Sequence, residues 1–239
     1  MAPSGLRMRN APQTGGTVTT IPYGAKVTIQ LVPSPEAYEQ YGQNVDGLFG
    51  IWPKVSYDGQ TGYVFDGFLS RFPAPSLQNT DPYQYLLKHF TMMSRPVERK
   101  KFFPEELPQW VIDTLQIFQS GECVIVYESL HGEWAGVSSV LDIRGMTMQE
   151  AYLLTRILYR KKIQTTLKRI ERAMQGADDA LCYTGMNQAQ LETLKQNYIR
   201  YPEKGRNVFY DFYLCECYEA VTIQEVAHTI QIRYGVGCH

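Results

Sequence analysis

The chain has 239 residues, of which 44% are hydrophobic, 20% charged and 13% aromatic, and its formal net charge is −1. This composition is typical of a globular protein long enough for two small domains, and it excludes a disordered chain. Because near-neutral charge gives no field for steering towards nucleic acid, we expect no nucleic-acid partner. No apolar run approaches the ~20 residues that span a bilayer, so we expect no transmembrane segment.

Residues 5–72 show the pattern of short strands separated by turns. Apolar and polar residues alternate from Leu6 and again from Val27. Residues 54–57 lead into Asp58-Gly59, the strongest two-residue hairpin signal in the chain, and residues 62–65 follow as the return strand. The pattern predicts an all-β unit.

Five segments of this unit follow one another in the order and spacing of a known module. They are GLRMRNAP (residues 5–12), IPYGAKV (21–27), GIWPKVSY (50–57), DGQTGYV (58–64) and FL (68 and 69). Together they resemble the bacterial SH3 (SH3b) module. The resemblance implies a small β-barrel over residues 1–73 that binds a cell-wall peptide or glycan, or a protein partner.

The segment departs from the SH3b pattern at two places. Eighteen residues separate Leu31 from Gly50, where a plain module has a handful, and this insertion (residues 32–49) could form a lid or a docking surface. Pro53 interrupts a predicted strand, and because proline has no N–H to give, it needs an edge position or a bulge.

Aromatic residues of the module are the candidate ligand-binding residues. We expect them to line a groove for a peptidoglycan fragment or an extended peptide segment. The alternative is that most of them fill the barrel core or hold hairpins together. The seven candidates are Tyr23, Tyr38, Tyr41, Trp52, Tyr57, Tyr63 and Phe65.

Residues 74–82 are rich in Pro, Ser and Asn and are interpreted as a linker, and residues 83–239 as an α+β domain of unrecognised type. Asp81-Pro82 predicts the start of one helix, and residues 108–119 are predicted as a second. Strands are predicted over 123–127 and 136–143. Thr147 and Glu150 form a capping box for a helix reaching about residue 174. A further helix over 187–198 and strands over 208–234 complete the prediction.

Motifs for catalysis and cofactor binding are missing from the sequence. It has no D-C-S-G, S-H-G-C-x-R, G-x-S-x-G, G-x-G-x-x-G or P-loop pattern, so we predict no catalytic residue and no cofactor. Cys182 is the least unfavourable nucleophile. A group of soft ligands near the end fits packing or a disulfide better than a metal, so no metal is predicted: Cys215, Cys217, His228, Cys238 and His239. The basic stretch 156–172 is interpreted as a solvated helix face.

The leading hypothesis is a noncatalytic cell-envelope binding protein. The alternatives are a cell-wall hydrolase or other enzyme with its site in the C-terminal domain, and a purely structural interaction protein. The opening residues MAPSGLRMRN lack the apolar core of a signal peptide. The SH3b resemblance implies an extracytoplasmic location, periplasmic or lipid-anchored in the envelope, if an export signal has been removed. Otherwise the location stays unknown.

Overall fold

The computed structural model describes residues 2–78, 80–103, 109–119, 122–131, 134–162, 164, 165, 168, 172, 187, 189, 208–214 and 217–238. The chain divides into two compact units, Met1–Gln78 and Asn79–His239. The predicted division into residues 1–73, a linker over 74–82 and a domain over 83–239 stays a prediction. Each unit is described by itself below.

The N-terminal unit is built mainly from short antiparallel strands. Five of them form a sheet in the order β2-β1-β7-β6-β3, and β4 pairs with β5 separately. The elements are β1 (Leu6–Arg9), β2 (Thr17–Ile21), β3 (Thr28–Ile29), α1 (Pro35–Tyr41), β4 (Gln43–Val45), β5 (Leu48–Gly50), β6 (Lys54–Tyr57), β7 (Gln60–Tyr63) and a 3-10 turn (Asp66–Phe68).

The expected strands are present, but the expected closed barrel is not. In the described part of the chain the edge strands β2 and β3 have no pairing with each other, so the sheet is open. The reason lies in β3, which contributes only two residues to the sheet before the chain leaves it for the insertion. Two residues offer too few ladder hydrogen bonds to hold a closing strand.

Two hairpins of this unit use the same turn. Asp58 and Gly59 have φ angles of 48° and 71°, and Tyr57 pairs with Gln60, which confirms the predicted hairpin. Asp46 and Gly47 have φ angles of 51° and 76° and join β4 to β5. The insertion is therefore a helix followed by a hairpin, a structure that the sequence analysis did not predict.

The core of the N-terminal unit is small and apolar. Met8, Ile21, Val55 and Val64 are almost fully buried. Pro53 lies just before β6, where its carbonyl accepts a 3.3 Å hydrogen bond from the Val64 N–H, so no ladder donor is required of it.

The C-terminal unit contains a seven-stranded antiparallel sheet in the order β12-β13-β14-β11-β10-β9-β8. The described residues of this unit also form two helices, α2 and α3. The assignment of the whole unit to the α+β class stays a prediction. The elements are α2 (Pro82–His89), β8 (Val97–Phe103), β9 (Gln109–Ile117), β10 (Cys123–His131), β11 (Trp134–Asp142), α3 (Met148–Leu158), β12 (Val208–Leu214), β13 (Cys217–Val226) and β14 (Thr229–Cys238).

The helix predicted over residues 108–119 is wrong, because this segment forms strand β9. Val111, Leu115 and Phe118 have helical spacing, but the segment is also rich in residues that favour strands. It pairs along its length with β8 on one side and β10 on the other. Strand β8 was not predicted at all. Tertiary pairing here overrides the local pattern.

The two helix starts agree with the sequence. Asp81 caps α2, with its Oδ1 accepting a 2.8 Å hydrogen bond from the Gln84 N–H. Thr147 and Glu150 form the predicted capping box of α3. Among the described residues beyond α3, residues 160–162, 164, 165, 168 and 172 are also helical, and most of the helix predicted over 187–198 lies outside the described residues. No helix in the described ranges is long and apolar enough to cross a membrane.

Helix α3 packs on β13 and β14, and an aromatic stack continues this packing beyond its end. The ring of Tyr159 lies 5.5 Å from that of Tyr234, and the ammonium of Lys162 lies 3.6 Å from the Tyr234 ring centroid. The Tyr234 hydroxyl donates a 3.0 Å hydrogen bond to Glu219. Lys162 thus contributes a cation–π contact, in a stretch that was expected to be solvated.

Limited proteolysis tests the predicted linker. The Tyr23 hydroxyl donates a 2.8 Å hydrogen bond to the carbonyl of Pro75, and Pro75 is buried, whereas Leu77 is 40% exposed. We expect a protease that cuts at apolar residues to cleave first at Leu77 and to leave a folded N-terminal fragment. Tyr23→Phe should make residues 73–76 more susceptible. First cleavage inside 73–76 in the unaltered protein, or an unfolded fragment, contradicts this prediction.

The β13–β14 hairpin gives a second prediction. Its turn residues Ala227 and His228 have φ angles of 48° and 66°, a region that costs a non-glycine residue roughly 1–2 kcal/mol. The double substitution Ala227→Asn/His228→Gly supplies the preferred turn residues. We expect it to raise the free energy of unfolding by about 1–2 kcal/mol, measured by chemical denaturation.

Gly59→Ala in the N-terminal unit is the control, and it should change the free energy of unfolding in the opposite direction. Gly59 has a positive φ, and a Cβ added there would meet nothing within 4 Å. Gly59→Ala should therefore lower the free energy of unfolding by about 1 kcal/mol through the backbone alone. A lower stability of the Ala227→Asn/His228→Gly variant would show that its turn is not strained.

Candidate functional site

An aromatic cluster lies beside the 3-10 turn of the N-terminal unit. The rings of Trp52 and Phe65 are 5.6 Å apart, and those of Phe65 and Phe68 are 5.8 Å apart in an edge-to-face arrangement. Phe65 is 1% exposed, whereas Trp52 and Phe68 are half-buried. Phe65 therefore forms the floor of the cluster, and Trp52 presents part of its surface to solvent.

Arg9 lies over the Trp52 ring of this cluster. It ends β1 at the point where the pairing of β1 and β2 shifts register, an irregularity that can redirect a side chain. Its guanidinium carbon lies 5.7 Å from the centroid of the Trp52 ring, and its Nη1 donates a 2.7 Å hydrogen bond to the carbonyl of Gly15. A cation–π contact and a backbone hydrogen bond thus fix the position of the guanidinium.

Two hydrogen-bond donors of this cluster have no partner within the described part of the protein. The Nε of Arg9 and the Nε1 of Trp52 are buried and form no hydrogen bond in the described part of the chain. Buried N–H groups are nearly always paired, so two unpaired donors on contacting side chains are unusual. Both N–H groups can donate hydrogen bonds to oxygen atoms of another molecule, such as those of carbonyl groups.

A buried carboxylate holds the strands and the insertion around the cluster. Asp66 Oδ1 accepts a 2.8 Å hydrogen bond from the Ile51 N–H, and its Oδ2 accepts a short hydrogen bond from the Tyr38 hydroxyl. Gly50 has no room for a side chain, because a Cβ there would lie 2.4 Å from Asp66 Oδ1. Helix α1 of the insertion is thus joined to the segments that carry Trp52 and Phe65.

The electrostatics of this contact follow from burial. Desolvation raises the pKa of the Asp66 carboxyl above its usual value, although the hydrogen bonds from Tyr38 and Ile51 act in the opposite direction. Desolvation and the neighbouring carboxylate also raise the pKa of Tyr38. The phenol therefore stays a neutral donor to Asp66.

Tyr23 contacts the chain itself. Its hydroxyl is hydrogen bonded to Pro75, and burial raises its pKa to about 12. A Cβ added to Gly24 would lie 3.3 Å from the side chain of Ala74, so residues 74 and 75 lie against this turn. A ligand that used the Tyr23 hydroxyl would have to displace this segment.

The other three candidates occupy different surroundings. Tyr57 packs against the hydrophobic core, as the alternative interpretation of these residues expected. Tyr63 is half-buried on β7, where its backbone pairs with that of Arg9. Tyr41 is 62% exposed at the end of α1. A ligand-binding role for each of the seven aromatic residues stays a prediction.

The structure brings some of the candidates together and adds residues that were missed. Among the described residues, only Trp52 and Phe65 of the seven are in ring contact. Arg9 and Asp66 were not predicted as site residues. The sequence motif that contains Arg9 predicts a strand, but it does not predict the contact between Arg9 and Trp52. For Asp66, the signal in the sequence is the glycine that follows it, Gly67, which is typical of a turn.

The candidate nucleophile and metal ligands of the C-terminal unit lie partly outside the described residues. Cys182, Cys215 and His239 lie outside the described residues, and the described ones contain no group of three or more metal-ligand side chains. The backbone register places Cys217 opposite Cys238. This register is compatible with the pairing that the sequence left open.

The buried carboxylate predicts a dependence of stability on pH. Because the folded pKa of Asp66 is raised, its contribution to stability is greatest below the ordinary pKa and is lost as the pH rises through the folded pKa. Asp66→Asn keeps an acceptor for Ile51 and removes the titration. We expect the stability of the unaltered protein, relative to this variant, to fall as the pH is raised from about 4, measured by denaturation at several pH values.

Tyr38→Phe extends this test. It removes a hydrogen bond that lowers the pKa of Asp66, so the loss of stability should continue to a higher pH than in the unaltered protein. At neutral pH the variant should lose about 1–3 kcal/mol, because a buried carboxylate loses a donor. If the free energies of unfolding of the unaltered protein and of Asp66→Asn differ by the same amount at every pH, the raised pKa of Asp66 is contradicted.

Comparison with known proteins agrees with the motifs of the N-terminal unit. Residues 4–70 match the family model described as bacterial SH3 domain. A search of curated proteins gave no match, and a search of solved structures also gave none. The match covers the five-stranded sheet, the insertion and the 3-10 turn. Over residues 4–70 the chain is therefore similar to the bacterial SH3 domain family.

Proposed function

We propose that this protein is a noncatalytic binding protein of the bacterial cell envelope, in which the Arg9 and Trp52 side chains bind carbonyl oxygens of an extended peptide. The peptide part of peptidoglycan is the proposed ligand. The observation that carries the proposal is the pair of buried N–H groups that find no hydrogen-bond partner among the described residues. The domain family supports the coarser statement that this is a binding module.

Energetics favour an acceptor ligand at this pair. A buried donor without a partner costs about 1–3 kcal/mol, and a bound carbonyl would recover part of this cost. An extended peptide leaves its backbone carbonyl groups free to accept hydrogen bonds, and those on one side of the strand recur at every second residue. The half-buried ring of Trp52 offers an apolar surface for a peptide side chain.

Several ligand sources share this chemistry. Stem peptides of the cell wall, N-acetyl groups of its glycan and extended segments of a protein partner all carry carbonyl acceptors. We favour the cell-wall peptide because the charge on Arg9 also suits the carboxylates that such peptides carry. Location outside the cytoplasm is part of the same proposal.

Two other functions stay alternatives. Burial of Phe65 and the core position of Tyr57 favour a purely structural role for those two aromatic residues. For an enzyme with its site in the C-terminal unit, the candidate nucleophile in the sequence is Cys182, which lies outside the described residues.

Calorimetric titration with soluble muropeptides tests the proposal. Trp52→Phe removes the indole N–H and keeps an aromatic ring, and Arg9→Lys removes the Nε donor and keeps the charge. We expect each substitution to weaken binding by about three- to tenfold, the effect of losing one hydrogen bond. Thermal unfolding of each variant checks that the fold is retained.

Arg7→Lys is the matched control, because Arg7 lies on the same strand and is exposed. It should bind like the unaltered protein. A synthetic peptide without cell-wall residues and a peptide-free glycan fragment, titrated in parallel, distinguish the ligand sources. If Arg7→Lys, Arg9→Lys and Trp52→Phe bind muropeptides equally well, the proposed site at Arg9 and Trp52 is refuted. If the unaltered protein binds no muropeptide, the cell-wall peptide is refuted as the ligand.

A further inference from the structure

The Arg9 guanidinium has one edge in use and another edge free. Its Nη1, the nitrogen on the Cδ side, donates a 2.7 Å hydrogen bond to the carbonyl of Gly15. Nε and Nη2 form the other edge, whose N–H groups point the same way and match the two oxygens of a carboxylate. Neither of these nitrogens makes a hydrogen bond in the described part of the chain. The edge best suited to a carboxylate is therefore unused.

The two nitrogens of this free edge differ in exposure. Nε is buried and unpaired, whereas Nη2, which is also unpaired, is not buried. A ligand therefore reaches this edge first at Nη2. Because the guanidinium is planar and rigid, a carboxylate that binds Nη2 with one oxygen directs its other oxygen towards Nε. A neutral carbonyl brings a single oxygen and serves the same edge less completely.

The charge of Arg9 has no carboxylate partner among the described residues. The side chain is half-buried, and it contacts the Trp52 ring and the Gly15 carbonyl, neither of which neutralises it. Attraction between opposite charges is stronger where water is partly excluded, because the effective dielectric constant is lower there. An anionic group of a ligand therefore gains more at this edge than a neutral acceptor does.

We propose that the Nε–Nη2 edge of Arg9 binds the free C-terminal carboxylate of the peptide ligand, so that the site recognises the end of a peptide rather than its middle. The inference rests on the proposed function, because it names the group of that ligand which meets Arg9. Trp52 Nε1 remains the donor to a backbone carbonyl. Since Trp52 contacts Arg9, the carboxylate and this carbonyl must be neighbours in the ligand, as they are at the end of a chain.

Calorimetric titration of the full-length protein with one muropeptide in two forms, with its C-terminal carboxylate free or amidated, tests the inference. The unaltered protein should bind the free acid about tenfold or more tightly than the amide, since hydrogen bonds between charged groups are the stronger class. Arg9→Gln removes the charge and should bring the two affinities together. Arg7→Gln is the matched control, because it makes the same change at an exposed residue of the same strand and should keep the full difference.

The comparison of acid and amide on the unaltered protein keeps the test valid if Arg9→Gln does not fold. Equal affinity for the two forms, or the same ratio in Arg9→Gln as in Arg7→Gln, overturns the inference and leaves the peptide proposal standing. An amidated peptide with an acidic side chain in its last residue presents a carboxylate from the other source. If it binds as tightly as the free acid, recognition of the chain end is overturned. Binding of neither form by the unaltered protein refutes the proposed function and the inference together.

Discussion

The buried carboxylate of Asp66 fixes the geometry on which the N-terminal site depends. It binds the backbone immediately before Trp52, follows directly after Phe65 and accepts a hydrogen bond from Tyr38 of the insertion. Three segments that are far apart in the sequence therefore meet at one acidic side chain. Because that side chain is desolvated, each donor matters more than it would at the surface. The aromatic cluster and its unpaired donors are held in place by this contact.

Short sequence motifs predicted the structure correctly at turns and helix ends, where the local backbone geometry requires particular residues. The Asp58-Gly59 hairpin and the capping box at Thr147 are such cases, since positive φ angles and unpaired helix-end N–H groups demand particular residues. Asp46-Gly47 carries the same hairpin signal, but it was missed because the flanking residues show little alternation. Strand β9 was misassigned because its apolar spacing fits a helix equally well, and only pairing with two neighbours decides between them.

The candidate site was predictable only in part, for a related reason. The aromatic residues of the family motifs identified Trp52, while the importance of Arg9 depends on a contact between residues 43 positions apart, which no local pattern encodes. Residues that act through long-range pairing become visible only when the sheet register is known. Polar groups without partners are then the most informative guide to function.

The strand order of the C-terminal sheet has a consequence for how it folds. Strands β8 to β11 pair in sequence order, as do β12 to β14, and among the described strands the pairing of β11 with β14 is the one that joins the two groups. The Asp142–Gln231 contact at this junction spans 89 residues. Closing such a long segment is entropically costly and slow compared with hairpin formation. Two separately formed meanders, each with an exposed edge strand until they meet, would be the aggregation-prone stage of folding.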